Sequence, residues 1–265
     1  MTGAVRLAAA AETPPAAGSE LARKVFAELL GSMLLAATVV GSGIAAQRLS
    51  PSDAGLQLLE NALITGAVLV ALILALGPVS AAFNPVVTLA ERVLGAISAA
   101  AAALIAAQVV GCSLGVILAN LMFDLNPVTL STHDRSTGGL WLGEVVATFG
   151  LLVVIFGVVR SGRGSQVGYA VGGYITAAYW FTSSTSFANP AITFARSLSD
   201  TFAGIAPGSV AGFVLMQLLG GALAVGAVLL LYPDARQLAG RVARAGTPAT
   251  PSRQPASPPA PQEVR

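Results

Sequence analysis

Two short stretches hold the side chains best placed to do chemistry. One is Phe187-Ala188-Asn189-Pro190-Ala191-Ile192-Thr193, and the other, a weaker echo, is Phe83-Asn84-Pro85-Val86-Val87-Thr88. Asn caps a helix through its side-chain oxygen, and Pro suits the first helical position. Each Asn-Pro is therefore expected to start a short helix. A helix N-terminus carries unpaired N–H groups and a partial positive charge. Two such ends at membrane depth would offer hydrogen-bond donors to a neutral solute while opposing cations and protons.

Other chemistries find little support. Ser183, Ser184 and His133 have no partner acid placed beside them, so no nucleophile–base pair is available for an intramembrane enzyme. A single Cys112 and a single His133 leave no ligand set for a metal site, and no cofactor is implied. Cys112 reads as a small packed residue, and His133 as a solvated loop residue.

The elements that must carry the two motifs are membrane spans. The chain has 265 residues, 55% hydrophobic and only 10% charged, with mean hydropathy +0.77. A soluble domain carries about 25% charged residues. The net charge of +2, with its basic residues scattered, argues against a nucleic-acid partner. Residues 1–24 lack the apolar core of a cleavable signal and read as a flexible tail. Spans are expected near 25–46, 58–76, 94–122, 140–159, 166–181 and 209–232, and the first is long enough for the roughly 20 residues a bilayer needs. Each Asn-Pro segment is apolar but too short to span, which marks it as re-entrant. Residues 233–265, rich in Pro, Ala and Arg, read as a second flexible tail. Six spans put both tails on one side, with Arg23, Lys24, Arg92, Arg160, Arg163, Arg236, Arg241 and Arg244. Arg48, Arg135 and Arg196 fall on the other, so the tails are expected in the cytoplasm.

The channel region, 25–232, contains a repeat. Repeat one covers 25–122 and repeat two 140–232. Glu28 to Glu144, Asn84 to Asn189 and Gln108 to Gln217 give offsets of 116, 105 and 109. Three spans per unit is an odd number, so the second copy is inverted in the membrane. The two short helices then enter from opposite faces, and Asn84 and Asn189 can meet at the midplane. Glu28 and Glu144 could couple protons, but no intramembrane Lys or His relays them. The favoured reading is that each carboxylate accepts hydrogen bonds from backbone N–H groups of a re-entrant loop. Gln108 and Gln217 read as bonders between helices. Gly111 with Gly115, and Gly220 with Ala224, suit close helix crossings.

This order resembles the aquaporin, or major intrinsic protein, family over roughly residues 25–232. The resemblance implies an all-α hourglass of six transmembrane helices and two half-helices in an inverted repeat. It also implies a homotetramer in a bacterial-type plasma (inner) membrane, with one passive pore per subunit for water or small uncharged solutes. The implied pore motifs are Asn84-Pro85-Val86 and Asn189-Pro190-Ala191, with Val86 where the family usually has Ala. Four implied filter positions fall on Thr65, Ala177, Ser186 and Ile192, with Ile64 the alternative to Thr65. Ile192 stands where the family's Arg is usual. On that register the constriction is wide and lacks a fixed charge. It would admit glycerol-sized polyols, urea or metalloid hydroxides such as arsenite, As(OH)3. The wording from Ser186 to Ile205 resembles a bacterial subgroup linked to arsenic resistance. A water-only channel and an ion-coupled secondary transporter remain as rival readings. Arg196 is expected to pair with Asp200, four residues on, or to face the surface.

Overall fold

The computed structural model describes residues 17–97 and 100–233. The described chain is helical: α1 (Ala17–Leu49), α2 (Ala54–Leu76), α3 (Pro85–Leu94), α4 (Ala101–Met122), α5 (Gly138–Arg160), α6 (Val167–Phe181), α7 (Pro190–Arg196) and α8 (Pro207–Leu231). Five of these, α1, α2, α4, α5 and α8, are long and apolar enough to cross a membrane. The sixth, α6, has only 15 residues and is preceded by a 3-10 turn at Gly164–Gln166. The two half-helices are α3 and α7.

The ends follow from local chemistry. Asp53 caps α2 by accepting from Leu56 N at 2.9 Å. Asn84 caps α3 through Val86 N (2.9 Å), and Asn189 caps α7 through Ala191 N (3.0 Å) and Ile192 N (3.3 Å). Pro85 and Pro190 hold the first helical positions, as expected of Asn-Pro. Gly95, at φ +84°, ends α3 in the left-handed conformation that glycine adopts without strain.

Two boundaries differ most from expectation. Residues 17–24 are the first turns of α1 rather than tail, with Lys24 bound to Glu20 one turn back at 2.6 Å. The third span starts at Ala101 and not at 94, because the chain stays in α3 to Leu94 and turns at Gly95. Residues 1–16 and 234–265, with Arg236, Arg241 and Arg244, lie outside the described residues.

Packing shows the inverted repeat. α1 packs on α4 as α5 packs on α8, and α2 packs on α6 between the halves. Small residues allow the close crossings. A Cβ on Gly111 or Gly115 would run into the Leu29 or Met33 carbonyl of α1. A Cβ on Gly220 would sit 2.5 Å from the Val145 carbonyl oxygen of α5. Gly220→Ala is therefore expected to push α8 off α5 and cost about 1–3 kcal/mol, read as a lower unfolding temperature in detergent. The larger Val86 is accommodated by Gly221, where a Cβ would collide with it. Outward faces carry exposed side chains such as Phe26, Leu142 and Leu215, which suits contact with lipid.

Candidate functional site

The half-helices meet N-terminus to N-terminus. Asn84 Nδ2 donates to the Ala188 carbonyl at 2.7 Å, and Asn189 Nδ2 donates to the Phe83 carbonyl at 2.7 Å. Each asparagine thus caps its own helix with its oxygen and ties down the other loop with its nitrogen. The residue before each asparagine, Phe83 or Ala188, has φ +48°. That left-handed conformation costs a side-chain-bearing residue about 1–2 kcal/mol. It aims each carbonyl at the opposite asparagine.

Buried carboxylates hold these strained loops. Glu28 accepts from Ala82 N (2.9 Å), Phe83 N (2.7 Å) and Ser80 Oγ (2.5 Å). Glu144 accepts from Phe187 N (2.9 Å) and Ala188 N (2.8 Å). Gln108 Nε2 links Glu28 to Thr88 Oγ1, both at 2.8 Å. Gln217 Nε2 links Glu144 (2.5 Å) to Thr193 Oγ1 (2.8 Å). All four side chains are fully buried. Loop N–H groups at this depth have no water, so the carboxylates satisfy donors that would otherwise be orphaned.

Beside the junction runs a cavity of about 180 Å3. This is more than ten times the ~10–15 Å3 that one water needs on the same scale. Both Asn84 and Asn189 line it, as do Thr65, Tyr179, Ser186 and Ile192. Its walls are otherwise mostly aliphatic, with Leu69, Ile73, Ile155 and Val171 among them. Ser186 Oγ is buried with no partner, leaving a free hydroxyl at the wall.

The structure therefore brings Thr65, Ser186 and Ile192 together, but not Ala177. On α6 the cavity-lining residues are Val167, Val171, Ile175 and Tyr179, spaced four apart along one helical face. Ala177, two residues from Tyr179, is turned by about 200° and is exposed. The α6 position implied by the family resemblance, Ala177, is therefore off the cavity face. Of the two α6 residues that flank it on the cavity face, Ile175 and Tyr179, the tyrosine carries a hydroxyl, which lies 3.3 Å from Thr65 Oγ1. On α2 the lining residues Thr65, Leu69 and Ile73 share one face, while Ile64 points outward, 44% exposed.

Arg196 neither pairs with Asp200 nor faces the surface. It is 3% exposed, donates through Nε to the Ala203 carbonyl, and stacks with its guanidinium carbon 3.4 Å from the Phe187 ring centre. Arg135 approaches the same ring at 5.1 Å. Two cations sharing one aromatic ring fix the loop that carries Phe187.

Asp200 instead pins the loop between α4 and α5. It accepts from Thr132 N (2.9 Å) and Thr132 Oγ1 (3.1 Å), with His133 Nε2 at 4.0 Å. The Thr132 backbone bond is the main reason its carboxyl sits below the usual carboxylate range. A lowered carboxyl pKa stabilises the contact above the ordinary Asp value and loses that stabilisation as pH falls through the lowered one. Exchange of the Thr132 amide hydrogen is therefore expected to lose its protection only in acid, below the ordinary Asp range. An Asp200→Asn variant should show no such step.

Two half-helices capped head to head beside a lumen, on an inverted repeat, define a membrane channel of the aquaporin-like fold. The chain belongs to the major intrinsic protein family, whose sequence profile matches residues 16–187. It is 48% identical over 221 residues to aquaglyceroporin AqpS of Rhizobium meliloti (strain 1021), covering 83% of this chain and 94% of that protein. The X-ray structure of the aquaglyceroporin from Plasmodium falciparum matches with a TM-score of 0.61 at 18% identity, covering 82% of this chain and 99% of that one, and supports the fold. The protein is thus an integral membrane channel for small solutes.

Proposed function

We propose that the lumen conducts small uncharged polyhydroxyl solutes of glycerol size, arsenous acid As(OH)3 among them, down their own gradients. The observation that carries this reading is the site itself. Two cross-bonded asparagine amides face a mostly aliphatic lumen whose wall has hydroxyls at Thr65, Tyr179 and Ser186, and the aliphatic Ile192. Each amide nitrogen has a second N–H for a passing hydroxyl oxygen. The paired helix N-termini disfavour cations. Thr65, Tyr179, Ser186 and Ile192 set the size limit. A neutral trihydroxide and a triol present similar hydroxyl patterns to such walls. Likeness to an aquaglyceroporin supports the glycerol-sized class.

The same reading has both termini in the cytoplasm, since Arg23, Lys24, Arg92, Arg160 and Arg163 cluster at one end of the helices. It also has four copies assembled in a plasma membrane, each with its own lumen.

The test uses vesicles reconstituted with the full chain. Uptake of glycerol and of arsenous acid should rise linearly with the gradient and be unchanged by ionophores. Saturable uptake that collapses with a sodium or proton gradient would mean an ion-coupled transporter. Glycerol flux without arsenous acid flux would confine the proposal to polyols.

A further inference from the structure

One lumen residue plays no part in the pairings above. Along α3 the residues lining the cavity are Asn84, Val87 and Glu91, at i, i+3 and i+7. That spacing puts all three on one helical face. Glu91 therefore lies two turns from the asparagine cap, about 10 Å nearer the basic end of the molecule. It is half-buried and is the one carboxylate among the residues lining the cavity. Glu28 and Glu144 are bound to backbone N–H groups, whereas the Glu91 carboxyl has no hydrogen-bond or ion-pair partner among the described residues. The wall around it is aliphatic, with Ile73, Ile155, Val159 and Val167.

A solute entering from this end leaves bulk water for an apolar passage. Its hydroxyl donors lose their water partners, at a cost that rises with their number. A carboxylate accepts hydrogen bonds about twice as strongly as a neutral oxygen and can take two donors at once. We propose that Glu91 is a docking carboxylate for the cytoplasmic entrance. It accepts hydrogen bonds from two hydroxyls of a polyol or metalloid hydroxide and hands the solute to the Asn84 amide two turns further in. Glu91 would then be a specificity-determining residue that favours solutes with several donors. This rests on the proposed conduction of neutral polyhydroxyl solutes.

The experiment measures glycerol and water permeability of reconstituted wild type, Glu91→Gln and Glu91→Leu, normalised to channel protein per vesicle. Gln keeps the shape and a neutral acceptor; Leu keeps roughly the bulk alone. The glycerol-to-water permeability ratio should fall about tenfold in Glu91→Leu and by a smaller factor in Glu91→Gln. An unchanged ratio in Glu91→Leu would overturn the assignment. So would an equal fall of both permeabilities in both variants, which would indicate a purely structural role. Wild type that passes no glycerol would overturn the proposed function itself, and the docking role with it.

Discussion

Glu144→Leu is expected to abolish the folded channel. The carboxylate satisfies Phe187 N, Ala188 N and Gln217 Nε2, and it is fully buried. Leucine leaves the two backbone donors without partners and leaves Gln217 Nε2 with Thr193 Oγ1 alone, where water cannot reach. Each lost partner costs about 1–3 kcal/mol, so the three together should cost about 3–9 kcal/mol. The loss falls on the strained turn at Ala188, whose left-handed backbone is held by these same bonds. Once Ala188 relaxes, its carbonyl no longer meets Asn84 Nδ2, and the junction opens from one side. Glu144→Gln keeps one acceptor but sets a second NH2 against Gln217 Nε2, so it should fall between wild type and leucine. Thermal unfolding in detergent, followed by size-exclusion chromatography, checks the order. A Glu144→Leu protein as stable as wild type would show that the carboxylate does not support the loop.

Ile192→Arg is expected to close the lumen to glycerol while leaving the fold intact. Ile192 lies in the first turn of α7 and lines the cavity with Tyr179 and Ser186. An arginine there would fill the space beside the Tyr179 hydroxyl and add a fixed cation to the positive end of the helix. The guanidinium would hold water and hydrogen-bond the free Ser186 hydroxyl. Glycerol permeability should fall at least about tenfold, corresponding to a barrier higher by ~1.4 kcal/mol. Water should fall less, since it needs less width. Ile192→Val, which keeps the wall apolar and uncharged, should pass glycerol as wild type does. Stopped-flow light scattering on the three proteins reads the difference.

The framework of the site was legible because it is written twice. Asn-Pro has one dominant local meaning, a capped helix start, and its recurrence beside matched Glu and Gln residues reveals the inverted unit. The structure joins each pair as that spacing implied, with Glu28 on the first loop and Glu144 on the second. What escaped depends on tertiary register. Between α6 and Asn189 the chain runs through irregular backbone with positive φ at Thr185, Ser186 and Ala188. Counting through such a segment cannot fix the phase of the helix before it. The four-residue spacing of Val167, Val171, Ile175 and Tyr179 held that phase, and it would have excluded Ala177. Arg196 departs from its expected pairing for a related reason. An i, i+4 partner is available only while the helix continues, and α7 ends at Arg196 itself. Asp200 therefore lies beyond the last turn and is free to bind Thr132. The place of Glu91 on the lumen face follows only once α3 is seated against the cavity.

The central claim is that the lumen is a passive path for uncharged solutes larger than water. It is tested most directly by stopped-flow light scattering on vesicles containing the wild-type channel, challenged in turn with sucrose, glycerol and arsenous acid. The account predicts rapid shrinkage in sucrose, and shrinkage followed by fast reswelling in glycerol and in arsenous acid, well above empty vesicles. Rapid shrinkage in all three, with reswelling no faster than in empty vesicles, would contradict it and leave a channel for water alone.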